Sequence, residues 1–205
     1  MTSTHSVQYD VDYPDRSLNR LTSAFRIITA IPIVAILTAI GGLTIASGAS
    51  SSKELVATGS GLLILPPLLM LVFRQKYPRW WYDFNLELLR FQNRVGVYVA
   101  LMDDRYPATD EQQSVRLSLP EPVGLNRWLP LVKWLLAFPH YFVLAFLYVG
   151  AFFAVAIAWF AILFTGRFPR TLFDYLVGVG RWTNRVTAYA AILVTDDYPP
   201  FRLGA

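Results

Sequence analysis

The stretch Arg90-Phe-Gln-Asn-Arg-Val-Gly-Val-Tyr98 returns ninety-one positions later as Arg181-Trp-Thr-Asn-Arg-Val-Thr-Ala-Tyr189. In both copies an arginine, an aromatic residue, Asn-Arg-Val and a tyrosine occupy matching positions. Each copy follows a long apolar segment and a Pro-Arg pair, and each ends in an acidic turn followed by Tyr-Pro. The sequence therefore predicts a chain organised around a duplicated unit.

The composition is that of a membrane protein. Of the 205 residues, 55% are hydrophobic and only 16% are charged, whereas soluble domains carry about 25% charged residues. The chain has no cysteine, which excludes disulfides, thiolate metal sites and cysteine nucleophiles. A basic chain can bind nucleic acid, but the basic residues here cluster beside apolar runs, so we expect a membrane surface and no nucleic acid as the partner.

Four apolar runs are candidates for membrane spans, at about 27–46, 55–73, 129–149 and 151–165. A single helix over the last two would reach about 54 Å at 1.5 Å per residue, well beyond a hydrocarbon core of about 30 Å. We therefore expect a hairpin turning near Gly150, whose short second arm leaves open whether it is full or re-entrant. Two hairpins also place seventeen of the eighteen Lys and Arg residues on one side, with only Lys53 opposite, as the positive-inside rule favours.

Two amphipathic segments, 80–102 and 171–193, follow these runs. In the first, apolar residues recur every three or four positions, while Asp83, Glu87, Arg90 and Arg94 form the opposite stripe. That pattern is typical of a helix lying in the membrane interface. Two short alternating segments, around Val7 and Val115, predict strands, and we expect these strands to pair with each other.

The predicted fold is a mostly α integral membrane protein with two tandem repeats, each a short strand, a transmembrane helical hairpin and an amphipathic interfacial helix. Residues 1–22 form a cytoplasmic segment with the first strand, 23–107 the first repeat, 108–128 a linker with the second strand, and 129–205 the second repeat. The expected location is the inner membrane, multi-pass, with both termini cytoplasmic.

Several motifs carry a resemblance to a known family. They are Phe-Pro-His at 138–140, Thr-Gly-Arg-Phe-Pro-Arg at 165–170, the copy at 181–189, and Asp-Asp-Tyr-Pro-Pro-Phe at 196–201. With these motifs the chain resembles a family of bacterial, often actinobacterial, multi-pass membrane proteins catalogued only as a domain of unknown function. The resemblance implies a small inner-membrane protein. It implies no activity, so no catalytic residue follows from it.

The duplicated arginines and their aromatic neighbours are the candidate contacts to anionic lipid or to a partner protein, because arginine offers paired donors to phosphate. The alternative, which the sequence favours, is that they are polar stripes facing water and headgroups, with Asp83 and Asp174 reducing the net charge. The candidate contacts are Arg79, Arg90, Arg94, Arg170, Arg181, Arg185, Trp80, Trp81 and Trp182. The polar residues expected to be structural are Asp83, Asp174, Asn93, Asn184 and His140.

His140 is the only histidine near the apolar segments. It could relay protons or bind a metal or haem. A single histidine with no second histidine, cysteine or nearby carboxylate is a weak metal signal. We therefore expect a histidine hydrogen-bonded to a backbone carbonyl, and we expect no metal and no cofactor.

The function class follows from what the sequence contains and lacks. It carries no phosphate-binding glycine loop, nucleophile elbow or paired carboxylates. No Asp, Glu, Lys or Arg that could form an ion path occurs at 27–46, 55–73 or 135–164. We therefore expect no enzyme but a non-catalytic inner-membrane protein, an accessory or scaffold subunit bound to another membrane protein. The alternative is a lipid-binding or lipid-transport module that uses the basic helices, with an enzyme third.

Overall fold

The computed structural model describes residues 6–14, 18–41, 60–109, 111 and 113–204. It is mostly helical, with one small sheet. The first half contains strand β1 followed by four helices. These elements are β1 (Gln8–Val11), α1 (Arg20–Ala24), α2 (Arg26–Gly41), α3 (Ser60–Arg74) and α4 (Arg79–Val99).

The second half repeats the order of a strand followed by helices. Its elements are β2 (Val115–Ser118), α5 (Leu129–Leu136), α6 (Phe138–Thr165) and α7 (Arg170–Val186). A π-helical turn, Thr187–Ala191, extends α7. Gly166, at φ 72°, ends α6 in the left-handed conformation, which glycine adopts without steric cost.

The two strands form an antiparallel ribbon in which Tyr9 faces Leu117 and Val11 faces Val115. The expectation that the strands pair is confirmed. Alternation sets the burial, because successive side chains of a strand point to opposite faces. The apolar face packs on α4 and α7 in the main core, while Asp10 and Arg116 stay exposed on the other face.

Helix α7 runs antiparallel along α6. The chain turns at Phe168, which is 1% exposed. Farther along, Tyr175 Oη donates to Leu147 O at 2.9 Å. At the far end Trp182 Nε1 donates to His140 Nδ1 at 3.0 Å, so the two helices stay in contact for most of their length.

The predicted hairpin at Gly150 is wrong. Helix α6 passes through Gly150 without a break from Phe138 to Thr165. A Cβ at Gly150 would lie 2.5 Å from Tyr175 Oη, so this glycine lets α7 approach α6 rather than letting the chain turn. The argument from excess length failed because α7 packs against α6 along most of its run.

The two-repeat, multi-pass architecture is also wrong. Among the described residues, one helical stretch, Leu129–Thr165, is long and apolar enough to cross a membrane. In the first half, the described helices α2 and α3 are shorter than this stretch, with 16 and 15 residues. The rest of the expected spans, 42–46 and 55–59, and the Gly/Ser loop between them lie outside the described residues.

The amphipathic segments form helices at the expected places, as α4 and α7. They do not lie alone in an interface, as the predicted fold required. Helix α7 buries Phe173, Val177 and Trp182, packing between α6 and β1. The apolar stripe of α7 is therefore buried against other parts of the protein.

An arginine-lined cavity as the candidate functional site

A cavity of about 790 Å³ lies beside the ribbon. Both strands line it, together with side chains from α4 and α7. Four of the six predicted arginines meet here, two from each copy of the duplicated stretch. The charged residues lining the cavity are Arg90, Arg94, Arg116, Arg181, Arg185, Asp10 and Asp12.

Arg90 and Arg181 bind the outer edges of the ribbon. Arg90 Nε and Nη2 donate to Leu117 O at 3.2 and 3.1 Å. Arg181 Nε donates to Tyr9 O at 3.0 Å. Since Tyr9 and Leu117 face each other in the ladder, one arginine covers each edge of a sheet that would otherwise present unpaired carbonyls.

Arg94 and Arg185 hold the segments that follow the acidic turns. Arg94 Nη1 donates to Ala108 O at 2.6 Å, and Arg185 Nη2 donates to Gly204 O at 2.7 Å. The Nε of each is buried and makes no hydrogen bond. Within the described part of the chain, neither guanidinium is ion-paired with a carboxylate.

Positive charge is in excess around the cavity. Arg181 pairs with Asp10 at 2.7 Å, Arg90 pairs with Glu87 at 2.5 Å, and Arg116 pairs with Asp12. The excess therefore comes from Arg94 and Arg185, which bind backbone carbonyls. A guanidinium bound to neutral carbonyls keeps its full charge. Burial lowers the pKa of Arg185 below its ordinary value, and the nearby charges of Arg202 and Arg181 lower it further.

The other two predicted arginines lie outside this cavity. Arg79 is exposed and lies 3.7 Å from Glu121, while Asp83 is exposed one turn away on the same helix. Arg170 lies over the Tyr13 ring at 4.5 Å and 3.4 Å from Asp174. These pairs are solvent-exposed and contribute little to stability.

The predicted tryptophans separate into two environments. Trp80 is 66% exposed at the start of α4, with Trp81 packed edge-on against it at 5.2 Å. Trp182 is buried. Only Trp80 is available to a partner over most of its surface.

His140 is fully buried at the first turn of α6. Its Nδ1 accepts the bond from Trp182 Nε1, not from a backbone group, and its ring stacks on Phe201 at 4.1 Å. The expected carbonyl partner is therefore replaced by an indole. Among the described residues no group of three His, Cys, Asp or Glu side chains could hold a metal ion.

Two buried cations were missing from the predicted site residues. Arg26 pairs with Asp104 and lies over the Tyr98 ring at 4.5 Å. Lys133 pairs with Asp196 at 2.7 Å and lies over the Tyr189 ring at 5.1 Å. The same order of basic residue, tyrosine and acidic turn in both halves was the signal that could have found them.

Comparison with known proteins identifies one region. Residues 128–202 match the model of a family described as a domain of unknown function, DUF4389. The match covers α5, α6, α7 and the acidic turn at Asp196 and Asp197. No curated protein and no solved structure matches the chain.

Proposed function

We propose that this is a non-catalytic, membrane-associated protein whose arginine cavity binds an anionic group, foremost the phosphate of a membrane lipid. The observation that carries the proposal is the meeting of Arg90, Arg94, Arg181 and Arg185 around one cavity with an excess of positive charge. Arginine suits phosphate because its planar fork presents paired donors.

Membrane association is supported by the surface of the long apolar stretch. Only 17% of the most apolar part of Leu129–Thr165 is buried inside the protein. Phe142, Phe146 and Phe153 are each about 60% exposed or more. Large exposed apolar surfaces mark membrane or protein contacts, and a lipid phosphate would then lie near the protein.

The two arginines without a carboxylate partner among the described residues favour ligand binding over a purely structural role. Arg94 and Arg185 satisfy carbonyl oxygens, but the buried Nε of each remains without a hydrogen bond. An anion in the cavity would bring a counter-charge close to both guanidinium groups. A buried cation without a counter-charge lowers the stability of the folded protein. Anion binding would be favoured because it removes part of that cost.

The test compares phospholipid retained after extraction in mild detergent, measured by native mass spectrometry. Arg94→Gln with Arg185→Gln should lose the bound phospholipid. The control, Arg79→Gln with Arg105→Gln, removes the same charge from exposed positions outside the cavity and should retain it.

Because Arg185 is buried, its double variant could lose the fold as well as the ligand. Arg116→Gln covers that case, since Arg116 is 66% exposed and pairs with Asp12 on the surface. It should weaken phospholipid binding several-fold with no change in unfolding. If Arg116→Gln and the control retain equal amounts, or if the wild-type protein carries no phospholipid, the proposal fails.

A second candidate function, an accessory subunit of a larger membrane complex, is favoured by the exposed start of α4. Trp80 is 66% exposed and Phe84 45% exposed, and tryptophan is enriched at binding hot spots. Trp80→Ala with Phe84→Ala should release a partner that co-migrates in mild detergent. Tyr106→Ala, which removes a similarly exposed ring elsewhere, is the control, and a chain that migrates alone would contradict this candidate.

A further inference from the structure

One face of α6 is apolar and exposed from end to end. The exposed side chains follow one another at steps of three and four residues, which is a single stripe along a helix. They are Phe138, Phe142, Phe146, Val149, Phe153, Ile157, Phe160 and Phe164. The sequence holds no charged residue between Leu135 and Phe164.

The opposite face of α6 is covered by α7, and α7 brings charge with it. Asp174 and Arg170 form an ion pair whose side chains are 62% and 66% exposed. The neighbouring Tyr175 bonds Leu147 O and lies against Gly150. Asp174 is therefore level with the middle of α6, and Arg170 with its C-terminal part.

The ribbon adds further charge at the same level. Arg170 lies over the Tyr13 ring, and Tyr13 Oη donates to Phe168 O at 2.5 Å. Asp10 in β1 and Asp12 just after it are exposed, and they line a second cavity with Arg170 and Asp174. The charged residues of α7 and the ribbon therefore lie beside α6 and not beyond its ends.

These placements decide how α6 meets a bilayer. If α6 crossed the membrane, a hydrocarbon layer of about 30 Å would enclose the part of α7 that carries Arg170 and Asp174. Each such charge costs about 2.5–3.5 kcal/mol on insertion scales. An α6 that lies flat meets no such cost from Arg170 and Asp174, because α7 and the ribbon lie on the side away from the stripe.

We propose that α6 lies in the plane of the membrane, with its exposed stripe embedded in one leaflet and α7 and the ribbon above it in water. The lipid surface itself is the partner that covers the stripe. Aromatic residues suit this depth, since their rings favour the region between headgroups and acyl chains. The proposal rests on membrane association but not on anion binding in the cavity.

The first test uses the absence of native cysteine. Val123, 79% exposed before α5, and Arg167, exposed just after α6, are changed singly to cysteine. An impermeant maleimide is added to spheroplasts and to inverted vesicles. Both positions should react from the same side and in the same preparation. Reaction from opposite sides would establish that the helix crosses and would overturn the proposal.

The second test measures depth in vesicles of purified protein. Nitroxides at Phe142, Phe153 and Phe164 should report the same depth from the ratio of oxygen to nickel-chelate collisions. A crossing helix would separate successive probes by about 16 Å along its axis at 1.5 Å per residue. Graded depths, or a chain that carbonate washing removes from vesicles, would overturn the proposal, while a failed anion-binding assay would leave it standing.

Discussion

The side-chain amides of Asn93 and Asn184 bind each other through two reciprocal hydrogen bonds of 2.8 Å. These residues occupy the same place in the two copies of the duplicated stretch. Each Nδ2 also donates to a carbonyl one turn earlier on its own helix, Leu89 O or Gly180 O. The pair joins α4 to α7.

Replacing one asparagine should leave its buried partner unsatisfied. We expect Asn93→Ala to lower the free energy of unfolding by about 1–3 kcal/mol, the cost of an unpaired buried polar group. Asn93→Ala with Asn184→Ala should cost less than the sum of the two single changes. Chemical unfolding of all four proteins in mild detergent measures this coupling, and strictly additive losses would show that the two amides do not interact.

Gly150 and Gly96 predict opposite effects of the same substitution. A Cβ at Gly150 would meet Tyr175 Oη at 2.5 Å, whereas a Cβ at Gly96 has open space. Gly96→Ala should raise the free energy of unfolding by about 0.5–1 kcal/mol, because alanine is the better helix residue. Gly150→Ala should lower it, and adding Tyr175→Phe should recover part of the loss. A stabilising Gly150→Ala would contradict the close packing of α6 on α7.

The buried cations predict an asymmetry between ion pairs. Asp196→Asn leaves the fully buried Lys133 without its counter-charge and should cost roughly 3 kcal/mol, as broken buried pairs do. Asp174→Asn breaks an exposed pair and should cost under about 0.5 kcal/mol. Equal losses of unfolding free energy for the two variants would contradict the assigned burial.

Buried tyrosines predict instability at high pH. Burial raises the pKa of Tyr9 and of Tyr77 above the ordinary value, with Asp10 adding to the effect at Tyr9. The unfolded chain then releases these protons first, so stabilisation present below about pH 10 is lost as the pH rises further. Tyr9→Phe should flatten the fall in unfolding free energy above pH 10, while Tyr106→Phe, an exposed tyrosine, should leave it unchanged.

The sequence predicted the parts of the fold that depend on local periodicity. The alternation of Val7, Tyr9 and Val11 marked a half-buried strand, and its likeness to Val115 and Leu117 suggested the pairing that the ribbon confirms. The stripes of α4 and α7 marked helices. Such patterns are local because the side-chain period of each element is fixed by its backbone.

The path of the apolar segments could not be predicted in the same way. The same long apolar sequence is compatible with a chain that turns at Gly150 and with a helix that continues through it. What decides is Tyr175, twenty-five positions later, whose hydroxyl fills the space beside the glycine. The hydrogen-bond partners of the arginines could not be predicted either. Leu117 O and Gly204 O are backbone carbonyls, which the sequence does not distinguish from any others.

The arginine cavity is tested most directly by the dependence of unfolding on anion concentration. A ligand that binds only the folded state adds RT ln(1 + [L]/Kd), about 2.7 kcal/mol at one hundred times Kd. Unfolding is followed for the wild type and for Arg116→Gln in increasing phosphate, with chloride at matched ionic strength as the reference, and again with phosphatidylglycerol in the micelle. We predict that phosphate or the anionic lipid raises the wild-type unfolding free energy beyond the chloride reference, and raises that of Arg116→Gln less. Identical curves for both proteins and for all anions would contradict the account.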